Sequence, residues 1–198
     1  MTLSSSERST LRQRIRHQRR ALTSLEQRIA ADQLAAQVKG MQAFNRAKRI
    51  AVYLASDGEI SLTPLIELCW KLNKEVYLPV LHPVRHNRLW FTRYTPKTRL
   101  SNNRYKILEP ALKRPGTPAW ALDLVLMPLV AFDPEGNRMG MGGGYYDRTF
   151  AFTLQRLGLK GPKLIGMAHD FQRVEKLSLA AWDVPLKGVV TDRKRYRV

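Results

Sequence analysis

The sequence predicts an α/β protein in which a central, mostly parallel sheet is flanked by helices in three layers. Short runs rich in β-branched and aromatic residues alternate with segments whose apolar residues recur at helical spacing. A glycine-rich loop lies between one such strand and the helix that follows it. The chain has 198 residues, of which 44% are hydrophobic, and this is enough for one substantial core. We therefore expect a single Rossmann-like domain over residues 1–198.

Two helices are predicted before the first strand. The segment 8–22 carries Leu11 and Ile15 on an apolar side. On its other side arginines recur every three or four residues and form a stripe, consisting of Arg8, Arg12, Arg16 and Arg19. The run from Thr23 to Glu26 has the spacing of a capping box, which begins a second helix that Gly40 terminates.

The remaining elements follow from β-forming composition and from turn residues. Residues 49–55 form the first predicted strand, Asp57-Gly58 marks a turn, and Thr63-Pro64 favours the start of a helix that ends at residue 72. Further strands are predicted at residues 76–80, 89–94, 122–127, 164–167 and 188–191. The segment 101–118 contains three prolines, so we expect an irregular crossover on the surface.

The glycine-rich loop over residues 138–147 is the most informative stretch of the chain. Four of the five residues from Gly140 to Gly144 are glycines, so consecutive backbone N–H groups can turn around an anion. A helix predicted over residues 147–157 adds positive partial charge beside them. Arg138 and Asp147 bracket the loop with opposite charges, which suits a phosphate contact and a metal ligand. The loop is therefore predicted to bind phosphate.

Two alternatives for this loop stay open at the level of sequence. A glycine-rich run can be a plain connector, and the loop fits neither the dinucleotide fingerprint nor the P-loop pattern. Asp147 can be the N-cap of the following helix instead of a metal ligand. Because ligands of open α/β sheets collect at the carboxyl ends of strands, we expect Glu59, Met127-Pro128 and the glycine loop to converge on one cleft.

The formal charge of +18 predicts attraction to polyanions such as nucleotides, polyglutamylated cofactors and RNA. A basic RNA-binding protein is therefore an alternative function, although no RNP, KH or zinc-finger pattern is present. No apolar run approaches the roughly 20 residues that cross a bilayer, so no membrane partner is expected. The single cysteine, Cys69, cannot form an internal disulfide, and the N-terminus lacks a secretory pattern, which together favour the cytoplasm.

Cysteine and histidine chemistry is not expected. Cys69 lies in an apolar helical segment, where a buried packing role is favoured over a nucleophilic one. The four histidines, at positions 17, 82, 86 and 169, lack metal-ligand spacing and are expected at the surface or in supporting positions. We recognise no Ser-His-Asp or Cys-His arrangement in the sequence.

The run from Met127 to Arg148 reads Met-Pro-Leu-Val-Ala-Phe-Asp-Pro-Glu-Gly-Asn-Arg-Met-Gly-Met-Gly-Gly-Gly-Tyr-Tyr-Asp-Arg. It resembles the signature of the 5-formyltetrahydrofolate cyclo-ligase family, also called methenyltetrahydrofolate synthetases. The similarity extends in the same order to the N-terminal arginines, to the strand and Glu-Ile element at residues 53–60, and to the Asp-x-x-x-x-x-Val-Val-Thr run at residues 183–191.

The resemblance implies an activity and a mechanism. ATP and Mg²⁺ would convert 5-formyltetrahydrofolate, possibly polyglutamylated in the cell, to 5,10-methenyltetrahydrofolate with release of ADP and phosphate. Phosphorylation of the formyl oxygen and intramolecular cyclisation would carry the reaction, so no protein nucleophile is expected. A non-catalytic relative that binds folate or nucleotide is the other alternative to RNA binding.

The resemblance also implies the site residues. Those for ATP are Arg8, Arg12, Arg138, Gly140, Met141, Gly142, Gly143, Gly144, Tyr145 and Tyr146. Those for the folate substrate are Leu54, Glu59, Tyr105, Met141, Gly142, Gly143, Gly144 and Tyr145. Asp147 and Asp183 would hold Mg²⁺, which needs only one or two carboxylates beside phosphate and water oxygens.

Overall fold

A computed structural model describes residues 4–82, 84, 87–111, 116–154, 161–178, 180 and 182–196. The helices are α1 (Ser5–Ala21), α2 (Ser24–Lys39), α3 (Gln42–Arg46), α4 (Thr63–Lys71) and α5 (Tyr145–Phe150). The strands are β1 (Arg49–Ala51), β2 (Glu75–Leu81), β3 (Leu89–Tyr94), β4 (Leu100–Asn102), β5 (Leu108–Pro110), β6 (Leu124–Pro128), β7 (Ala131–Phe132), β8 (Arg138–Met139), β9 (Lys163–Ala168), β10 (Gly188–Thr191) and β11 (Arg195–Tyr196). Short 3-10 helices lie at Ala119–Ala121, Ala151–Thr153 and Asp170–Gln172.

Seven strands form the central sheet, in the order β11-β10-β9-β6-β1-β2-β3. The five inner strands are parallel, and the edge strands β3 and β11 pair antiparallel to their neighbours. Two small hairpins, β4-β5 and β7-β8, lie outside this sheet. The predicted α/β fold with a mostly parallel sheet flanked by helices is confirmed.

Alternating side chains of the inner strands feed two separate cores. Ile50 and Leu126 pack with α2, α3 and α4 on one face. Ala51 and Met127, one position along on the same strands, pack on the other face with Phe150 of α5 and with the loops after β6. Both faces of a parallel sheet must be covered, which explains the near-continuous burial of β6, β9 and β10.

The two N-terminal helices begin at capping boxes. Thr23 accepts from the backbone N–H of Glu26 and the Glu26 carboxylate accepts from the Thr23 backbone, so the predicted box is confirmed. Ser4 and Glu7 form a second box that starts α1 three residues before the predicted position. No helix of the described residues is both long and apolar enough to cross a membrane.

Three of the sequence-based element boundaries are wrong. β1 ends at Ala51, not at residue 55, because the chain turns away after Val52 and the Tyr53 hydroxyl donates to the Ile60 carbonyl at 2.8 Å. The segment 101–118 is not wholly irregular, because β4 and β5 pair in it. Helix α5 begins at Tyr145 and ends at Phe150, and residues 155–157 of the predicted helix lie outside the described residues.

The sequence did not predict α3, the hairpin β7-β8 or strand β11, all of which are five residues or shorter. Cys69 is fully buried in the core under α4, as expected. Burial raises the pKa of its thiol to about 12, so the thiol stays protonated at neutral pH. His169 is buried as well, and its side chain accepts from the backbone N–H of Gln172.

Gly166 of β9 allows the closest packing against the sheet, which gives a test of the core. A Cβ at this position would lie 2.6 Å from Leu129 Cδ2 and 2.9 Å from Leu186 Cδ1. We expect Gly166→Ala to lower the free energy of unfolding by about 1–3 kcal/mol, because the core must shift to admit one methyl group. Urea denaturation followed by circular dichroism measures this change.

Gly40→Ala is the matched control for this substitution. Gly40 ends α2 with an ordinary φ of −76°, and its added Cβ would meet chiefly the flexible end of the Arg195 side chain. We expect a change within about 0.5 kcal/mol there. Equal effects of the two substitutions would contradict the tight packing inferred at Gly166.

Candidate functional site

The strand order reverses next to β1. From β1 the chain crosses to β2 on one side, and it later returns to β6 on the other side. The loops after β1 and β6 therefore leave the same edge of the sheet in diverging directions, which is where open α/β sheets bind ligands. Glu59 lies in the first loop, and the second leads through the hairpin β7-β8 to the glycine loop.

Helix α1 lies against the glycine loop. Arg12 donates from Nε to the Gly140 carbonyl at 2.9 Å, and a Cβ on Gly142 would be 3.8 Å from the Arg12 guanidinium. Gly142 and Gly144 have φ values of +95° and +61°, which disfavour any residue with a Cβ. The structure thus brings predicted ATP residues from two distant segments together.

Arg8 lies one helical turn before Arg12 on α1. Partial burial and the positive charge of Arg8 lower the pKa of the Arg12 guanidinium. In the described part of the chain neither arginine forms an ion pair. Two neighbouring guanidinium groups without a carboxylate partner favour an anion at this position.

Asp147 is the third residue of α5, whose N-cap is Gly144, so the alternative of Asp147 as N-cap is wrong. Its Oδ1 atom accepts a short hydrogen bond from Arg138 Nη2, and it accepts another from the Val184 backbone N–H at 3.2 Å. Asp183 directly precedes Val184, and its Oδ2 atom accepts from the Ala180 backbone at 2.8 Å. The two predicted metal ligands therefore lie on adjoining segments.

The donor set at Asp147 and Asp183 fits Mg²⁺. Within the described ranges, the second carboxylate oxygen of each aspartate forms no hydrogen bond. The part of the chain that the structure describes contains no group of three or more His, Cys, Asp or Glu side chains that could hold a metal. A pair of carboxylates suffices for Mg²⁺ when phosphate and water oxygens fill the other positions, and a closed protein cage is not required.

Glu59 lies on the other side of the cleft and is largely buried, with 14% of its side chain exposed. Its Oε2 atom accepts from the Ser56 backbone N–H at 3.1 Å and from the Ser56 hydroxyl at 3.3 Å. Burial raises the pKa of Glu59, although the bonds from Ser56 and the charge of Arg19 oppose this. Leu54, in the same loop, packs against the core.

Tyr146, the second residue of α5, lies within electrostatic range of Glu59. Burial, and next the negative charge of Glu59, raise the pKa of the Tyr146 phenol. Glu59 is therefore near the first turn of α5, directly after the glycine loop. This proximity places the predicted folate acid beside the predicted phosphate loop.

Tyr105 reaches the glycine loop from the hairpin β4-β5. Its hydroxyl oxygen is 2.6 Å from that of Tyr145, and the two rings meet edge to face at 6.0 Å. Arg104 donates to the same Tyr145 hydroxyl at 2.7 Å. Tyr105 is half exposed, and the Arg104 guanidinium lies over its ring at 4.9 Å from the centroid. Beside this contact lies a polar cavity of about 390 Å³, whose lining includes His82, Arg88 and Glu109.

Sequence reasoning missed the charge cluster around Asp57. Its carboxylate accepts from Arg16 at 2.6 Å, from Arg19 at 2.9 Å and from Arg20 through a shorter contact. Although partial burial raises it, hydrogen bonds from Arg16 and Arg20 hold the pKa of Asp57 below its ordinary value. The cluster fastens α1 to the loop that carries Glu59. The arginine stripe and the Asp-Gly turn were the available signals, but their pairing spans about forty residues.

Known proteins resemble this chain along nearly all of its length. Residues 4–192 match the model of the 5-formyltetrahydrofolate cyclo-ligase family. The Escherichia coli (strain K12) protein named 5-formyltetrahydrofolate cyclo-ligase is 46% identical over 181 residues, which are 91% of this chain and 97% of that protein. The Haemophilus influenzae protein of the same name is 43% identical over 189 residues, or 95% and 99% of the two chains.

A solved structure agrees with these sequence matches. The NMR structure of Aquifex aeolicus 5,10-methenyltetrahydrofolate synthetase superposes with a TM-score of 0.78 and 34% identity. The superposition covers 96% of this chain and 92% of that one. The architecture described above is therefore shared with a protein of that name.

The Asp57 cluster predicts a pH-dependent contribution to stability. We expect Asp57→Asn to lower the free energy of unfolding by about 1–3 kcal/mol at pH 7, because three guanidinium groups lose their shared carboxylate. The native pKa of Asp57 is depressed, so the contribution is present above the unfolded value of about 3.8 and is lost as the pH falls through the native value. Denaturation at a series of pH values from 7 downward measures the gap in free energy of unfolding between Asp57→Asn and the unmodified chain.

Asp32→Asn is the control for charge removal, because Asp32 is exposed on α2. We expect a change within about 0.5 kcal/mol at every pH. The gap between Asp57→Asn and the unmodified chain should narrow in acid. A gap that stays constant below pH 4, while both proteins remain folded, would show that the carboxylate charge contributes nothing.

Proposed function

This chain belongs to the 5-formyltetrahydrofolate cyclo-ligase family, and from that premise we propose that it converts 5-formyltetrahydrofolate to 5,10-methenyltetrahydrofolate with ATP and Mg²⁺. The observation that carries the proposal is the meeting of three segments at one edge of the sheet. Arg12 contacts the glycine loop, and Glu59 lies beside the helix that this loop begins. An anionic and a hydrogen-bonding ligand would thus be held side by side.

The chemistry requires activation of a poor electrophile. The formyl group of the substrate is an amide, so its carbon resists attack and its oxygen is a poor leaving group. Transfer of the γ-phosphoryl group to that oxygen releases ADP and produces an iminium phosphate. The neighbouring folate amine then attacks the carbon, and loss of its proton and of phosphate closes the ring. The second step is intramolecular, so correct positioning supplies much of the catalysis.

On the nucleotide side, we assign the phosphates to the glycine loop and to the arginines that adjoin it. Arg8 and Arg12 have no carboxylate partner in the described residues, which leaves them available to an anion. Arg138 lies on the other side of the loop and is held by Asp147. Backbone N–H groups from Gly140 to Tyr146 would complete the phosphate contacts.

Asp147 and Asp183 would hold Mg²⁺ at these phosphates. Bound Mg²⁺ would neutralise charge that develops on the transferring phosphoryl group. Arg138 fixes the orientation of Asp147 through its short hydrogen bond to Oδ1. The Val184 N–H bond to Asp147 fixes the segment that carries Asp183.

On the folate side, Glu59 would accept N–H donors of the reduced pterin, since an ionised carboxylate is an acceptor only. Leu54 would pack against the ring system, and residues from Met141 to Tyr145 would form the opposite wall. Tyr105, which is half exposed, would stack on the aminobenzoyl ring. The contact between the Tyr105 and Tyr145 hydroxyl groups would hold the Tyr105 ring at the loop.

RNA binding stays a prediction, and the arginine stripe gives it little support. Arg16 and Arg19 are paired with Asp57, and Arg12 contacts the loop that we assign to the nucleotide phosphates. A binding surface for RNA would have to use other basic residues. The alternative of a non-catalytic relative has less support still, because Glu59, Arg138 and Asp147 are all present and lie around one cleft.

A turnover assay tests the proposed activity directly. We expect purified protein with 5-formyltetrahydrofolate, ATP and Mg²⁺ to produce the absorbance of the methenyl product, at about 1 s⁻¹ or faster. Omission of either ATP or Mg²⁺ should abolish the signal. Absence of product above a reaction without enzyme would remove the proposed function.

The role of Asp147 is tested by its isosteric amide. We expect Asp147→Asn to lower kcat about 100-fold or more and to raise the Mg²⁺ concentration needed for half-maximal rate, because one of two metal carboxylates is lost. Asp183→Asn should raise the same requirement, whereas Asp32→Asn should leave it unchanged. If Asp147→Asn lowers the rate but leaves the Mg²⁺ requirement unaltered, Asp147 serves Arg138 and not the metal.

A further inference from the structure

Among the described residues, Arg19 is the only arginine or lysine that is buried, with 1% of the residue exposed. It lies near the end of α1, far along the chain from the glycine loop and from Glu59. Burying a guanidinium costs several kcal/mol unless its partners compensate, and an apolar residue in the same place often gives equal or greater stability. A role in stability alone therefore accounts poorly for this arginine.

The guanidinium of Arg19 faces three separate groups of the candidate site. Nη2 donates to Asp57 Oδ2 at 2.9 Å, and Nη1 lies 3.5 Å from the Leu129 carbonyl. Nη1 is also 3.9 Å from Glu59 Oε1. The Arg19 side chain thus contacts both the loop after β1 and the loop after β6, which leave the sheet where the strand order reverses.

The backbone of Arg19 is fixed to the same loop. Gln27 donates from its amide nitrogen to both the Arg19 and the Gly58 carbonyls, each at 3.2 Å. Gly58 has a φ of +71°, and a Cβ there would lie 2.7 Å from the Arg19 carbonyl carbon and oxygen. The close approach leaves little freedom for the helix to move relative to the segment that ends at Glu59.

The position of Arg19 on α1 separates it from the nucleotide side. Arg12, which contacts the glycine loop, precedes it by seven residues, or about 10.5 Å of helix. The first half of α1 therefore serves the loop assigned to ATP. The second half, with Arg19, faces the acid assigned to folate.

We propose that Arg19 is a positioning residue for the folate substrate: it presents its positive charge to the Glu59 carboxylate and holds that carboxylate in place, an assignment that rests on the proposed function. It acts through Glu59 and does not itself contact the reacting atoms. Its bonds to Asp57 and Leu129 fix the direction in which the guanidinium presents its charge. Loss of Arg19 should therefore affect folate binding far more than ATP binding.

The electrostatic surroundings of Glu59 make this proposal testable by pH. The charged and titratable groups that face it in the described residues are Arg19 from α1, Tyr53 and Asp57 from its own segment, and Tyr146 from α5. Arg19 is the only cation of this set, so its removal should raise the pKa of Glu59 further. If Glu59 must be ionised to bind folate, then as the pH is lowered a variant without Arg19 loses folate at a higher pH than the unmodified chain does.

The experiment compares Arg19→Met, Glu59→Gln and the double variant, with dissociation constants for 5-formyltetrahydrofolate and for ATP measured separately by calorimetric titration. We expect Arg19→Met to raise the folate constant about tenfold or more and the ATP constant less than about threefold. Glu59→Gln should give a similar folate defect. The double variant should be no worse than Glu59→Gln within about twofold, because the two residues act as one unit.

Arg20→Met is the matched control. Arg20 also contacts Asp57, but it is exposed and reaches neither Glu59 nor Leu129 in the described contacts. Both dissociation constants should stay within about twofold of the unmodified values. In the unmodified chain, folate affinity should fall at low pH as Glu59 becomes protonated. This loss should begin at a higher pH in Arg19→Met but not in Arg20→Met. It should be absent from Glu59→Gln.

Arg19→Lys keeps the test decisive if Arg19→Met fails to fold. A single ammonium group retains charge but cannot reach Asp57, Leu129 and Glu59 together, so a smaller folate defect with the same non-additivity is expected. Two results would overturn the role of Arg19. In the first, the fold-changes in the folate dissociation constant caused by the Arg19 and Glu59 substitutions multiply in the double variant. In the second, the Arg19 substitution weakens folate binding and ATP binding equally. If the unmodified chain binds no 5-formyltetrahydrofolate, the proposed function itself fails, and the role fails with it.

Discussion

The reversal of strand order at β1 is the constraint on which the rest of the site depends. β1 is only three residues long, yet it pairs with β2 and with β6. Its loop and the loop after β6 must therefore start side by side and then separate. The space between them is open to solvent unless another element covers it, and α1 supplies that cover through Arg12 and Arg19.

Ion pairs and a small apolar cluster together hold α1 in this position. Ile15 is the one fully buried aliphatic side chain of α1 within the described residues, and it belongs to a small cluster with Val130 and Met139. Leu11 packs against the same cluster, and the polar attachment consists of the Arg12 bond to Gly140 and the ion pairs with Asp57. A helix fastened by directional ion pairs is fixed in rotation as well as in distance, because each guanidinium must meet one carboxylate. This specifies which side chains of α1 point into the cleft.

Local signals in the sequence were sufficient for much of the fold. The capping box at Thr23, the strand at Leu124–Pro128 and the glycine loop each depend on residues close together in the chain. The turn of the β4-β5 hairpin was missed because it depends on Asn103, whose side chain accepts from two backbone groups, and on Lys106 with a φ of +59°. In the site, the partner of Asp57 was missed because only the folded sheet brings α1 to the loop after β1.

The arginine stripe of α1 divides into two functional halves, and the division follows from where carboxylates are available. Arg16, Arg19 and Arg20 share Asp57, so each of the three has an ion-pair partner within the protein. Arg12 contacts the glycine loop and Arg8 lies one helical turn before it, and neither has an acidic partner in the described residues. Burial and the positive charge of Arg8 lower the pKa of Arg12, and a bound anion would favour its charged form. The same helix therefore carries an internal ion-pair anchor at one end and, among the described residues, two guanidinium groups without a carboxylate partner at the other.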